Sequence, residues 1–149
     1  MKIYIGADHA GFELKEILKE HLISQDFDVE DCGAEEYEAG DDYSVILTPL
    51  AFKVAEDPEN SRGIVIGKSG QGEAILCNRF PGIRAIVYSS NNLEIIKLGR
   101  EHNDSNVLSL GAGFVSEEEA IEAVDLWLET EFSHEERHAR RNDMLDEIE

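Results

Sequence analysis

Hydrophobic residues along the chain gather into short runs, and the spacing within a run changes from one run to the next. Residues 2–7 form a compact apolar run that predicts a buried strand. Behind it Leu14, Ile17, Leu18 and Leu22 recur at helical intervals with Glu and Lys between them, which predicts an amphipathic helix. Residues 27–31 alternate as a second strand, closed by Cys32-Gly33 and followed by a loop rich in Glu, Gly and Asp as far as Asp42. Helical periodicity returns over residues 45–55 and is broken by Asp57-Pro58-Glu59-Asn60-Ser61. Gly63-Ile64-Val65-Ile66 then reads as a strand apolar on both faces, as in the interior of a parallel sheet. The pattern continues with a glycine-rich turn, a strand over residues 83–88, a helix over 91–100, a strand over 106–110 and a helix over 116–132. That last helix opens on a capping box, Ser116 with Glu119, and residues 134–149 predict a further helix. Strand and helix thus alternate about five times. Such alternation predicts an α/β fold with a parallel sheet covered by helices on both faces, because each right-handed crossover carries the chain back over the sheet. With 149 residues and no internal repeat or low-complexity linker, a single domain over residues 1–149 is expected.

Charge narrows the range of partners. Thirteen Lys and Arg stand against 33 Asp and Glu, a formal net charge of −20. That balance disfavours nonspecific attraction to nucleic acid or to an anionic membrane. No apolar run nears the roughly 20 residues of a membrane-spanning helix, and no cleavable leader precedes the first strand, so a cytoplasmic protein is expected. Cys32 and Cys77, the only two cysteines, are too few for a disulfide framework. One feature runs against the acidity. There is no Lys or Arg between Glu101 and Glu136, and then Arg137, Arg140 and Arg141 arrive together with His134 and His138. Arg137 and Arg141 share a helical face, which suits either an anion held between them or ordinary pairing with Glu135, Glu136 or Asp143. The residues alone leave both open.

The stretch most informative about chemistry is Ile66-Gly67-Lys68-Ser69-Gly70-Gln71-Gly72-Glu73, where small residues join a buried strand to a helix. Ligands of open α/β sheets bind at the carboxyl ends of strands, and glycines let backbone amides approach an anion. A nucleotide P-loop is excluded because Arg62 occupies the position of its first glycine, and a dinucleotide fingerprint because Ile75 occupies that of its third. Glu73 lies just inside the following helix, where the positive end of the dipole is expected to keep it ionised. A carboxylate beside amide donors can remove a carbon-bound proton while the amides hold the resulting enediolate oxygen. Taken alone, Glu73 also suits a routine first-turn helix contact, and Cys77, among Ile75 and Leu76, suits the core. Asp8-His9 follows the first strand, with Gly11 behind it, while His102-Asn103-Asp104 precedes a later one. No metal is expected. His134 and His138 are the only His or Cys pair at ligand spacing, and their Arg neighbours disfavour a cation.

Together Asp8-His9-Ala10-Gly11, Asp42-Tyr43, residues 67–73 with Asn78, Gly82-Ile83-Arg84-Ala85, His102-Asn103-Asp104, Asn106-Val107-Leu108, and Arg137-His138 with Arg141 resemble the ribose-5-phosphate isomerase B family, which includes the galactose-6-phosphate isomerase subunits. The resemblance is collinear over nearly the whole chain. It implies a Rossmann-like three-layer α/β/α sandwich with a parallel five-stranded sheet and a C-terminal helix reaching a partner subunit, in a homodimer or dimer of dimers with shared active sites. It implies a sugar-phosphate substrate and no cofactor. Carried onto this chain, it makes Asp8, His9 and Tyr43 contacts to sugar and phosphate, Ser69, Gly70, Gln71 and Gly72 the anion hole, and His102 the ring-opening acid or base with Asn103 beside it. Arg137 and Arg141 become the phosphate clamp. Where many members carry a catalytic Cys this chain has Gly67, and it matches the branch that uses a Glu at the end of the glycine loop, so Glu73 inherits the role of base. Gly113 replaces an Arg that usually joins the clamp, Ser44 replaces a usual Pro, and Lys68 replaces a common Gly. Lys68 is therefore expected either to restore cationic charge near the substrate or to accompany a different sugar phosphate. Besides isomerisation of ribose 5-phosphate or a close relative, the departures leave open a catalytically silent partner subunit. A nucleotide-binding regulatory domain fits less well.

Overall fold

In a computed structural model that describes residues 1–148, Ile64 and Ile66 of the central strand pack to one side and Val65 to the other, the two-residue alternation a doubly covered strand requires. That strand, β3 (Ser61–Gly67), lies between β1 (Lys2–Ala7) and β5 (Val107–Gly111); β2 (Asp28–Asp31) and β4 (Ala85–Tyr88) form the edges. The sheet order is β2-β1-β3-β5-β4 and every pairing is parallel. One face is covered by α1 (Phe12–Ser24), α5 (Glu94–Glu101) and α6 (Glu117–Glu129), through Leu14, Leu18, Leu22, Ile96, Ala120 and Trp127. The other is covered by α3 (Thr48–Glu56) and α4 (Gln71–Cys77), through Leu50, Val54 and Cys77. This is the expected three-layer α/β/α sandwich.

Several boundaries move for identifiable reasons. The helix expected over residues 45–55 is two helices, α2 (Tyr43–Ile46) and α3, meeting at the fully buried Leu47. Pro49 in the first turn of α3 has no amide to continue a ladder from α2. Helix α5 starts at Glu94 rather than at residue 91, because the Asn92 side chain accepts from the Glu94 amide and ends the preceding turn. The capping box of α6 forms as read, with Ser116 and Glu119 exchanging both hydrogen bonds, but the helix stops at Glu129, where Thr130 turns extended. The last helix, α7, spans Glu136–Asp146, and His134 before it adopts a left-handed backbone. Residue 149 of the expected helix lies outside the described residues.

Chain order reverses direction in the sheet twice, first between β2 and β3 and again where the chain steps back from the edge strand β4 to β5. From β1 the chain moves outward to β2 and then across to β3 on the other side. The carboxyl ends of β1 and β3 therefore flank the switch point, where helices diverge to opposite faces and open a crevice. Among the described residues no helix is long and apolar enough to cross a membrane.

Candidate active site

Two groups of chemically able side chains stand at opposite ends of the sheet. The first lies at the switch point. Beyond Ala7, Asp8 Oδ1 accepts from the amides of Ala10 (2.9 Å) and Gly11 (3.3 Å), which curls the chain into a single turn of 3-10 helix. Gly11 is required there, since a Cβ would stand 2.5 Å from the Ile66 carbonyl oxygen. The turn presents His9, whose backbone amide (2.9 Å) and Nδ1 (2.7 Å) both meet Asp41 Oδ1. This hydrogen bond to Asp41 raises the His9 pKa, helped by the charges of Asp8 and Asp41 against a desolvation effect. The Asp41 side chain is only 7% exposed, and its Oδ2 has no hydrogen-bond partner among the described residues. Asp8, His9 and Asp41 can bring one ligand atom each within 4.8 Å of one another, a donor set a cation could use. The Oδ1 atoms of both carboxylates are already taken up by N–H groups or the imidazole. The sequence pattern points to Asp42-Tyr43 and not to Asp41. Asp42 is exposed at the start of α2, and the only sign of Asp41 was its place after Gly40 at the end of the acidic loop.

Glu73 faces inward with 4% of its surface exposed. It folds back over the end of β3 so closely that a Cβ on Gly67 would lie 2.0 Å from its Oε1. Gly67 and the inward carboxylate thus depend on each other. Burial raises the Glu73 pKa and the nearby Asp8 charge adds to the rise; its own backbone amide works the other way. The shift runs opposite to the effect expected of the helix dipole, because loss of hydration disfavours the charged form. Gly70 takes a left-handed backbone, φ 77°, and its carbonyl accepts from the buried Ser109 hydroxyl at 2.6 Å, pinning the loop to β5. Ser69 Oγ accepts from the Gln71 amide at 3.3 Å. Tyr43 closes the loop from outside, with its ring Cζ 2.7 Å from where a Gly72 Cβ would stand. Cys77 sits in the core with its thiol pushed up to about 12, chiefly by burial and then by Glu73, so it stays a neutral core group.

The second group lies at the amino end of the sheet. His102 follows α5 and precedes β5, and its ring stacks on that of His138 in α7 with centroids 4.0 Å apart. His138 is buried and hydrogen-bonded to Ser133 (2.8 Å); burial, then the His102 charge, lowers its pKa. Asn142 donates to the His102 carbonyl at 3.3 Å, and the Asn103 carbonyl accepts from Arg84 at 2.9 Å. Arg137 pairs with Glu135 at 2.8 Å on an exposed surface, the ordinary alternative seen in the sequence. Arg141 is also exposed and forms no ion pair among the described residues. Glu73 sits over Gly67, which pairs with Gly111 at the carboxyl end of β5, while His102 precedes the amino end of that strand. At about 3.3 Å per residue the two groups stand at least roughly 13 Å apart. The structure therefore brings Asp8, His9, Tyr43, Ser69, Gly70, Gln71, Gly72 and Glu73 together, but not His102, Asn103, Arg137 or Arg141 of the same chain.

The family model for ribose/galactose isomerases matches residues 3–145. Ribose-5-phosphate isomerase B of Mycobacterium tuberculosis is 41% identical over 149 residues, covering 100% of this chain and 90% of the relative. The Escherichia coli protein of the same name is 38% identical over 148 residues, covering 99% and 96%. The crystal structure of ribose-5-phosphate isomerase B from Mycoplasma genitalium with bound ribulose-5-phosphate superposes with a TM-score of 0.93 at 35% identity, covering 97% of this chain and 93% of that one.

Proposed function

The chain belongs to the ribose/galactose isomerase family, and from that premise we propose that it is an aldose–ketose isomerase that interconverts ribose 5-phosphate and ribulose 5-phosphate with Glu73 as its base. The observation that carries this reading is the buried Glu73 carboxylate turned over Gly67 at the switch point of the sheet. Glu73 takes the proton from C2 of the open-chain aldose and returns it to C1. The electron pair passes through a cis-enediolate whose oxygen is held by the amides of residues 69–72 and the Ser69 hydroxyl. A raised pKa suits the task, because a base whose pKa lies closer to the working pH also returns the proton readily. Asp8, His9 and Tyr43 orient the sugar.

His102, Asn103, Arg137 and Arg141 enter from a second copy of the chain, because in one chain they lie at the other end of the sheet. In a symmetric dimer each copy lends its amino-end group to the other's crevice, so two complete sites form from two incomplete halves. His102 then acts as acid or base in opening the furanose ring, and the arginine pair receives the phosphate. The family resemblance and the exposed Arg141, which forms no ion pair among the described residues, support this arrangement. The test is isomerisation of ribose 5-phosphate in deuterated water. The wild type incorporates solvent deuterium at the transferred position, and Glu73→Gln loses about 10²- to 10⁴-fold in kcat with the fold unchanged. Deuterium exchange that survives in Glu73→Gln at the wild-type rate removes Glu73 from the mechanism. Substrate binding by the wild type without turnover would indicate a silent subunit instead.

A further inference from the structure

The switch point is strongly acidic, with Asp8, Asp41 and Glu73 buried there and Asp42 exposed beside them, yet it must accept a dianionic phosphate if the chain acts on sugar phosphates. One lysine stands at the head of the glycine loop that carries Glu73. Lys68 is the residue directly after β3, it is exposed, and it forms no ion pair or hydrogen bond through its ammonium among the described residues. In a chain of net charge −20 a lysine with no ion pair among the described residues is unusual, since Lys2, Lys15, Lys19, Lys53 and Lys97 each meet a carboxylate within 4.0 Å. Its position is also defined by the fold. The Gly67 carbonyl accepts from Ala112 (2.8 Å) and the Lys68 carbonyl from Gly113 (2.9 Å), so the two strand exits are stitched together. The Lys68 side chain then lies across Gly113, with its Cγ 3.2 Å and its Cε 3.8 Å from where a Gly113 Cβ would stand. Glycine at 113 leaves that space empty, and the lysine stem fills it.

From this we infer that Lys68 is a phosphate ligand of the active site, lying over the bare backbone of Gly113 to hold its ammonium at the head of the glycine loop, and that it sets the preference for a phosphorylated sugar. The inference rests on the isomerase reading and deepens it. An ammonium is a compact donor on a flexible stem, so it acts as a point charge on the phosphoryl group and not as a two-pronged clamp. Packing on Gly113 removes part of the entropy such a side chain otherwise loses on binding. Arg137 and Arg141 of a second copy provide the forked contacts from the opposite side.

Lys68→Met keeps the packed stem and deletes the charge. Against ribose 5-phosphate it raises KM by about 10- to 100-fold, with a much smaller change in kcat, and it weakens competitive inhibition by inorganic phosphate by the same factor. Lys68→Arg recovers most of the affinity. Lys68→Gly combined with Gly113→Arg recovers it too, because a long cationic side chain then rises from the facing position. Equal KM and equal phosphate inhibition for the wild type and Lys68→Met overturn the inference while leaving the isomerase reading intact. Loss confined to kcat overturns it as well. If the wild type turns over no sugar phosphate, the functional reading fails instead, and calorimetric titration of both proteins with inorganic phosphate still decides whether Lys68 binds the anion.

Discussion

The two ends of the sheet carry similar numbers of polar side chains but are built differently. At the carboxyl end, Asp8, Asp41 and Glu73 are largely buried and held by backbone amides, an imidazole or the bare face of a glycine. Their geometry is set before any ligand arrives. At the amino end His138 is fixed in the fold, but Arg137 and Arg141 project outward from α7. A buried carboxylate is worth its desolvation only where the surroundings define one orientation for it. Exposed guanidinium groups cost little to maintain and gain their order from what they meet. The first region is prebuilt around buried carboxylates, and the second presents exposed cationic side chains.

The sharpest way to break this contrast is to disturb the close fit of Glu73 and Gly67. In Gly67→Ala the new methyl competes for the space of the Glu73 carboxylate, and the cheaper adjustment is for the side chain to swing outward. Activity is expected to fall by about 10²-fold or more, while circular dichroism and the melting temperature change little. Activity near that of the wild type would show that the inward pose is dispensable. A second experiment joins the two regions. Glu73→Gln and His102→Ala proteins, each inactive, are mixed, unfolded and refolded together. Half of the dimers then contain both chains, each with one intact site, so recovery of roughly a quarter of wild-type activity is expected. No recovery would mean that both groups serve within one chain.

The smallest expected effect concerns the electrostatics of the prebuilt end. Asp41 raises the His9 pKa, so the folded chain holds that proton more tightly than the unfolded one. The pair therefore contributes stability that is fully present below the ordinary histidine value of about 6.5 and is lost as pH rises through the raised folded value. Asp41→Asn is expected to bring the His9 titration, followed by NMR, back down toward that ordinary value and to flatten the dependence of stability on pH in that window. An unchanged titration would assign the shift to Asp8 instead.

The legibility of the site varied with the range of the interactions that build it. Gly67, Lys68, Ser69, Gly70, Gln71, Gly72 and Glu73 were readable because a strand, a turn and a helix start within a few residues of one another, and such junctions leave marks in local sequence. Asp8 and His9 were readable for the same reason. Asp41 was not, because its importance comes from a contact with His9 across 32 residues of chain, and one aspartate in an acidic loop looks like the next. The helix dipole, a local effect, was expected to keep Glu73 ionised, whereas burial under neighbouring elements raises its pKa.

The amino-acid sequence by itself determined the alternation of strands and helices, the doubly apolar central strand and the glycine-lined turn, since periodicity and backbone freedom act over a few residues. Only the tertiary structure decided that His102 and the arginine pair lie at the far end of the sheet from Glu73 in the same chain, and that Lys68 lies on Gly113. Those facts depend on strand order and on parallel register, which bring distant segments together or hold them a strand's length apart, and no local pattern encodes that distance.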